Sequence, residues 1–552
     1  MLTLKPDFVI FLNVMRAKRI WEKEFFLIFI LIGTCLILYF FGLGAGPMGD
    51  IDEAMHASTS KDMVLDGDWI TPRYNGSNFY DKPPLHNWLV AMAFLLFGFS
   101  EFAARLPAAL LGTGCVMITY WLGRRMFGPA VAFLSALVLA TSAEYIILSR
   151  VVVHDISLVF FDTLALALFF IGYKSERHRK PAFLIGYAAL GFAVLAKGPV
   201  GLALPMMTIG LFLVHQRQLR FLKEMQLGWG VLIFFVVSAP WYVMISLRNP
   251  DYTEYFFFKQ NIGNFFSQQP RHPKPFYYYI PVLMGGFFPW SLFLPLALYR
   301  ALRKRRSENS DGLVFALIWC GVVFIFFSLA SSKLGTYILP LFPAASLLVG
   351  VLWHDLLCDS NRGLHKGVFY SYLPFAAIVP LALVYIMFFP PSTLTTDTPI
   401  DLSLIYFLGI WISGCALFSI GLVTKRKYKA FIGSIAGMAA SLLLLFLIFI
   451  VPVLGPTISG KKLALELDKL MKPGESIKFY LKARASFLFY TDRKAELLQN
   501  PQQLEDYMNR TKRVYCVFKY DDWEDVESLH GVMQIVARVG DKLIIANKRS
   551  NS

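Results

Sequence analysis

The sequence is short of charge. Only 16% of its 552 residues are Asp, Glu, Lys or Arg, while 56% are hydrophobic; soluble domains run nearer to roughly 25% charged. An ordinary water-soluble globular protein is excluded. Cysteine is scarce as well, limited to Cys35, Cys115, Cys320, Cys358, Cys415 and Cys516. Four fall in apolar runs and Cys358 in a basic loop, so Cys516 alone is left for a soluble region. A disulfide framework is therefore excluded, and with no CxxC or Cys/His cluster a zinc site is not expected. No internal repeat is visible, which argues against the paired halves of many transporters.

Acidic residues number 37 against 53 Lys and Arg, a net charge of +16. That excess points to nucleic acid only until the positions are read. The clusters are Arg16, Lys18, Arg19 and Lys23; Arg124 and Arg125; Lys174, Arg177, Arg179 and Lys180; Arg217, Arg220 and Lys223. They continue with Arg300, Arg303, Lys304, Arg305 and Arg306, then Arg362 and Lys366, then Lys425, Arg426, Lys427 and Lys429. All separate apolar runs and fall in alternate loops, the positive-inside pattern of a membrane protein. The charge reports topology, and no nucleic-acid partner is expected.

Runs of about twenty apolar residues each suffice to cross roughly 30 Å of hydrocarbon. They are predicted at 25–43, 103–122, 129–145, 151–173, 181–195, 200–214, 227–247, 277–299, 313–329, 337–353, 368–389, 402–423 and 431–453. The first has no small-residue cleavage site after it and reads as a retained anchor. The run at 85–99 is too short and is placed near the outer face; counting it as a span would invert every later loop. Between them, the loop at 44–85 opens with an amphipathic stretch, 52–65, expected as a helix on the membrane surface. From residue 456 the sequence turns mixed and polar. SIKFYL, ASFLFYT, RVYCVF and VARVGDKLIIAN read as β-rich, with helices near 461–471 and 502–509. The expected fold class is an all-α polytopic membrane domain, residues 1–455, with about thirteen transmembrane helices and a small C-terminal α/β soluble domain, 456–552, on the outer side.

Ionisable residues gather where the outer ends of these runs should lie. Asp50, Asp52 and Glu53 open the first loop, and Asp81 and Lys82 precede Pro-Pro. His154 and Asp155, Lys197, Arg271, His272 and Lys274, and Lys333 follow in later loops. Carboxylates there suit general-base or electrostatic work, and cations suit phosphate. A polyprenyl phosphate would place its tail between helices and its head at this level. Taken singly, each residue also fits a headgroup anchor or helix cap; anchors, however, do not require acidic neighbours. Asp50 and Asp52 have the spacing of a DxD metal pair, but were a monophosphate the leaving group, with less charge to neutralise than a diphosphate, an ion would not be required. No metal or other cofactor is expected.

The run DIDEAMHASTSKDMVLDGDWITPRYNGSNFYDKPPLHNWL resembles the first outer loop of the aminoarabinose transferases that modify lipid A. These belong to the protein-O-mannosyltransferase-related GT-C glycosyltransferases. FAARLPAAL, SRVVVHD, LAKGPVGLALP, HPKPFYYYIPVL, FFPWSLFLPL and SSKLGTYILPLFPA follow in the family's order, so the resemblance covers roughly residues 24–350. It implies a sugar donor linked to undecaprenyl phosphate, an acceptor on the outer leaflet such as lipid A, and a bacterial inner-membrane enzyme with a cytoplasmic N-terminus and periplasmic C-terminal domain. By position Asp52 matches the family's leading catalytic carboxylate. Asp81 is expected as a second catalytic carboxylate, standing where the family often has Glu, and Lys82 stands where a lysine contacts the donor phosphate. Tyr337 matches a tyrosine near that phosphate, and Asp155 and Lys197 match polar residues of the cavity. Arg271 and Lys274 are candidates for an anionic acceptor or for headgroups. Met55 departs from the pattern, standing where the family usually has Arg, with His56 or Arg73 as candidate substitutes. Transfer to protein or another envelope glycan is the alternative reading, and a lipid or solute transporter a minor one.

Overall fold

The computed structural model describes residues 24–548 apart from 50–51, 264, 266–271, 306–309, 359–361, 390–400, 473–474, 482–484, 492–495, 525 and 540–541. Asp50 and Arg271 lie outside the described residues. Hydrocarbon offers backbone amides no partner, so a spanning segment must satisfy its own hydrogen bonds as a helix. Among the described residues nine helices are long and apolar enough to cross. The first seven helices after the opening one are α2 (Asp52–Asp66), α3 (Leu85–Phe97), α4 (Glu101–Phe127), α5 (Pro129–Ala140), α6 (Ala143–Leu148), α7 (His154–Lys174) and α8 (Arg179–Lys197); α1 is Glu24–Phe40. Next come α9 (Val200–His215) and α10 (Leu227–Arg248), then Asp311–Leu329, Gly335–Cys358, Arg362–Phe388, Leu402–Thr424 and Tyr428–Gly455. Each of the thirteen predicted runs holds helix, three of them (α1, α5 and α9) in shorter form. Large apolar side chains such as Phe25, Phe29, Leu247 and Phe388 face outward, exposed, as lipid contact requires. The chain is a multi-pass membrane protein.

One predicted span is broken. Residues 277–299 form Tyr279–Gly286 and Trp290–Lys304, bent by 117°. Pro289 has no amide hydrogen to continue the ladder, and a Cβ at Gly286 would stand 2.1 Å from Glu144 Oε2. Glycine is the residue that lets α6 approach the corner.

The polar ends of the bundle separate by charge. At one end Lys174 pairs with Asp311, Arg124 with Glu24 at 2.9 Å, and Lys304 with Asp355 at 2.7 Å. Asp155 stands at the other end of α7, about 30 Å away at 1.5 Å per residue.

The C-terminal region is the expected α/β unit. After a short hairpin of β1 (Arg73–Tyr74) and β2 (Ser77–Asn78) in the first loop, five strands run here in the order β4-β3-β5-β7-β6, comprising β3 (Ser476–Tyr480), β4 (Glu496–Leu498), β5 (Val514–Lys519), β6 (Met533–Val539) and β7 (Lys542–Asn547). Alternation along β7 sends Ile544 and Ala546 to a core with Phe479 and Phe487, and Leu543 and Ile545 to another with Leu504 and Phe518. ASFLFYT is not a strand: Ala485–Tyr490 is a helix. Its apolar run is too short to fix a period, and Ser486 Oγ accepts the Gly460 amide at 2.8 Å to anchor it.

That short helix corrects a second expectation. The helix α2 exists, but it does not lie on lipid: Ala54, His56, Ala57, Thr59, Ser60, Lys61 and Met63 are buried. It is clamped between α3 and the C-terminal unit, where Lys61 Nζ donates to Phe489 O at 2.9 Å. Tyr490 Oη accepts the Met48 amide at 2.7 Å and donates to Glu101 Oε1 at 2.9 Å.

Candidate active site

The start of α2 is fixed by a buried ion pair. Arg105 Nε and Nη2 donate to Glu53 at 2.7 and 3.0 Å, and its remaining donors reach the carbonyls of Leu43, Gly46 and Pro47 at 2.8–3.0 Å. Five contacts satisfy the guanidinium's five N–H groups. Glu53 also accepts the Gly49 amide at 2.9 Å, in the manner of a capping box. Its partner comes from α4 rather than from within its own loop. The result is a rigid helix start that leaves Asp52 exposed.

Local sequence places the other groups. Pro83 restricts Lys82 to extended backbone, and Pro84 opens α3. Asp155 sits in the first turn of α7 and Lys197 ends α8, the helix ends that favour an anion and a cation respectively. Gly198 (φ +79°) stops α8, and a Cβ there would meet Phe256 at 2.7 Å. Across the open end of this hairpin Lys197 Nζ donates to Asp155 Oδ1 at 2.5 Å and lies 4.3 Å from the Tyr337 ring centroid, a cation–π distance. Lys82 Nζ bonds Asp81 Oδ2 at 3.0 Å, and Asp81 also accepts from Gln260. Burial works against the Lys82 charge, but Asp81, Tyr337 and Asp155 outweigh it and hold its pKa above the usual lysine value.

These residues surround one cavity of about 990 Å³. Asp52, Asp81, Lys82, Lys197 and Tyr337 are on its wall, as is Met55. Asp155 stands behind Lys197. The remaining lining is largely aromatic and aliphatic, from Tyr255, Phe256, Phe257, Ile262, Phe326, Phe327 and Val200. Neither proposed substitute for the missing arginine lines the cavity: Arg73 faces Asp66 and Asp68, and His56 is buried. Lys274 is exposed and does not line the cavity, whereas its neighbour His272 does. Lys333 donates to the Lys274 and Ala330 carbonyls. Sequence reasoning missed Gln260 and Asn261, two amides in an aromatic run whose polarity alone was a signal.

Known proteins resemble this chain in sequence and in fold. Residues 81–243 match the family described as dolichyl-phosphate-mannose-protein mannosyltransferase. The undecaprenyl phosphate-alpha-4-amino-4-deoxy-L-arabinose arabinosyl transferase of Edwardsiella ictaluri is 33% identical over 54% of this chain and 54% of its own. A Pseudomonas fluorescens protein of the same name is 32% identical over 65% and 64%. The chain thus spans between about half and two thirds of these relatives' length. The crystal structure of ArnT from Cupriavidus metallidurans bound to undecaprenyl phosphate superposes with a TM-score of 0.79 at 24% identity, covering 94% of this chain and 98% of that one. An oligosaccharyltransferase from Archaeoglobus fulgidus follows at 0.53 and 14%, covering 91% and 70%. In fold this chain resembles ArnT, and in sequence it is similar to the aminoarabinose transferases.

Proposed function

We propose that the protein transfers a sugar, 4-amino-4-deoxy-L-arabinose or a close amino sugar, from undecaprenyl phosphate to lipid A on the periplasmic face of a bacterial inner membrane. The observation that carries this is the cavity itself: two lysines and a free-standing carboxylate at its polar end, aromatic and aliphatic walls for the rest. The apolar walls fit an isoprenoid tail, and Lys82 and Lys197 fit its phosphate. With Met55 in the wall, these two lysines take the load that an arginine would share. The gathering of basic loops at the end opposite Asp155 supports a cytoplasmic N-terminus and a periplasmic C-terminal domain.

In the reaction the acceptor oxygen bonds to the anomeric carbon while the bond from that carbon to the donor's phosphate oxygen breaks. Undecaprenyl phosphate leaves with the electron pair, and Lys82 and Lys197 neutralise its charge. For an ionised lipid A phosphate, Asp52 stabilises the positive charge developing on the sugar or orients the donor's amine. For a hydroxyl acceptor, Asp52 takes its proton. Asp81 holds Lys82 in place, and Asp155 does the same for Lys197.

Purified protein incubated with undecaprenyl-phosphate sugars and lipid A tests this by mass. A sugar-sized increment on lipid A supports it. An increment on protein or another glycan, with lipid A unchanged, replaces it by the alternative acceptor.

A further inference from the structure

Three segments that supply site residues each carry a histidine beside their chemistry. His56 lies one turn after Asp52, His86 four residues after Lys82, and His154 directly before Asp155. Folding brings the three rings together edge-on and tilted, at 66° and 50°. His154 is central, 4.3 Å from the His56 centroid and 5.2 Å from that of His86. His56 lies 6.0 Å from the Phe79 ring, and His86 Nδ1 is 2.9 Å from Ser157 Oγ. All three are at most 5% exposed. His56 Nδ1, His86 Nε2 and both nitrogens of His154 are buried without a partner among the described residues.

No carboxylate is hydrogen-bonded to these rings among the described residues. The charges that face them are Lys82 and Asp81 from the loop before α3, Asp155 from α7 and Lys197 from α8. Among the described residues no set of His, Cys, Asp and Glu is arranged to hold a metal ion. Rings so buried, next to two lysines and with four ring nitrogens lacking a partner among the described residues, are stable as neutral aromatic plates. As plates they join α2, α3 and α7, beside the apolar cluster of Ala54, Ala57, Val90, Phe94 and Val152.

We propose that His56, His86 and His154 are positioning residues, a neutral ring cluster that sets the spacing between Asp52, Lys82 and the Asp155–Lys197 pair. This rests on the site assignment under the proposed function. None of the three touches substrate; each acts through the neighbouring helix end.

The test compares His154→Ala with His154→Phe in the full-length protein in nanodiscs. Phenylalanine keeps a plate and removes the ring nitrogens; alanine removes both. Expected for His154→Ala is a fall in kcat of tenfold or more with KM for the undecaprenyl-phosphate sugar changed less than threefold. Hydrogen exchange should also quicken in peptides covering 52–66 and 85–97. His154→Phe should restore kcat to within about threefold and return exchange to the wild-type rate. Wild-type kinetics and exchange in His154→Ala overturn the proposal. So does a phenylalanine variant as impaired as alanine, since that assigns the role to a ring nitrogen. If His154→Ala does not fold, the pair His56→Ala and His56→Phe decides by the same readouts. Should the wild type transfer no sugar, the proposed function fails, while exchange at 52–66 and 85–97 still decides the ring cluster.

Discussion

Asp155 opens α7 and Lys197 closes α8, and the two meet at 2.5 Å with side chains 12% and 8% exposed. A pair so buried is held by mutual need: deleting one partner strands the other, at a cost of about 3–5 kcal/mol. Lys197→Met is expected to lose transfer and to unfold at lower temperature. The double variant Asp155→Asn/Lys197→Met should be more stable than the two single losses add up to, by about 1 kcal/mol or more, yet stay inactive. Strict additivity in thermal unfolding would remove the pair from the account.

Asp52 is exposed to the cavity and supports nothing by packing. Asp52→Asn should lower turnover by about 10²–10⁴-fold while changing stability by no more than about 0.5 kcal/mol. Product mass and an unfolding curve check both halves. Turnover at the wild-type level removes Asp52 from the mechanism.

Lys82 should govern affinity for undecaprenyl phosphate. A charge-assisted hydrogen bond contributes about 1.5–3 kcal/mol, so Lys82→Ala is expected to weaken binding by about 10- to 100-fold. Because the lysine's pKa is held above 10.5 in the folded protein, its charge and its contribution to stability persist through neutral pH and are lost only as pH rises past that value. Titration calorimetry should therefore find the binding contribution of Lys82, wild type minus variant, flat between about pH 7 and 9. A steep fall in that window would mean a lowered pKa.

Acid should act through His56. Burial, and then Lys82, push its pKa down from 6.5 to about 4. The unfolded chain takes up a proton near pH 6.5 and the folded chain only near pH 4, so stability falls as pH drops through that window and levels off below it. The slope is up to about 1.4 kcal/mol per pH unit. The difference between wild type and His56→Phe in thermal unfolding should carry this slope. Parallel curves would show that His56 is not neutral and buried.

Arg105 ties α4 to the start of α2. Arg105→Ala leaves Glu53 buried without its cation and is expected to cost about 3–5 kcal/mol. Arg105→Lys should cost nearly as much, since an ammonium cannot reproduce the five-donor fork. Either variant within about 1 kcal/mol of wild type in chemical unfolding contradicts the geometry.

Much of this was legible in the sequence. Apolar runs announce spans because the bilayer dictates their length, and Asp52, Lys82, Lys197 and Tyr337 were found on the motifs that a resemblance marks. What escaped depends on partners remote in the chain. The stretch 52–65 has an apolar side, and only the C-terminal unit shows what covers it. ASFLFYT is too short to choose between periods without its neighbours. At the corner of the broken span Gly286 admits Glu144, a partner remote in the chain. Met55 was noticed as a departure, but that Arg73 turns away to Asp66 and Asp68 required coordinates. The three histidines are single residues in three separate segments, and nothing local pairs them.

The bond between Met48 and Tyr490 joins residues 442 apart. A ribosome finishes the first long before it makes the second. While the polypeptide is still being threaded into the membrane, the turn leading to Asp52 therefore lacks its last fastening. The surroundings of Asp52 are complete only when the final hundred residues have been delivered and folded.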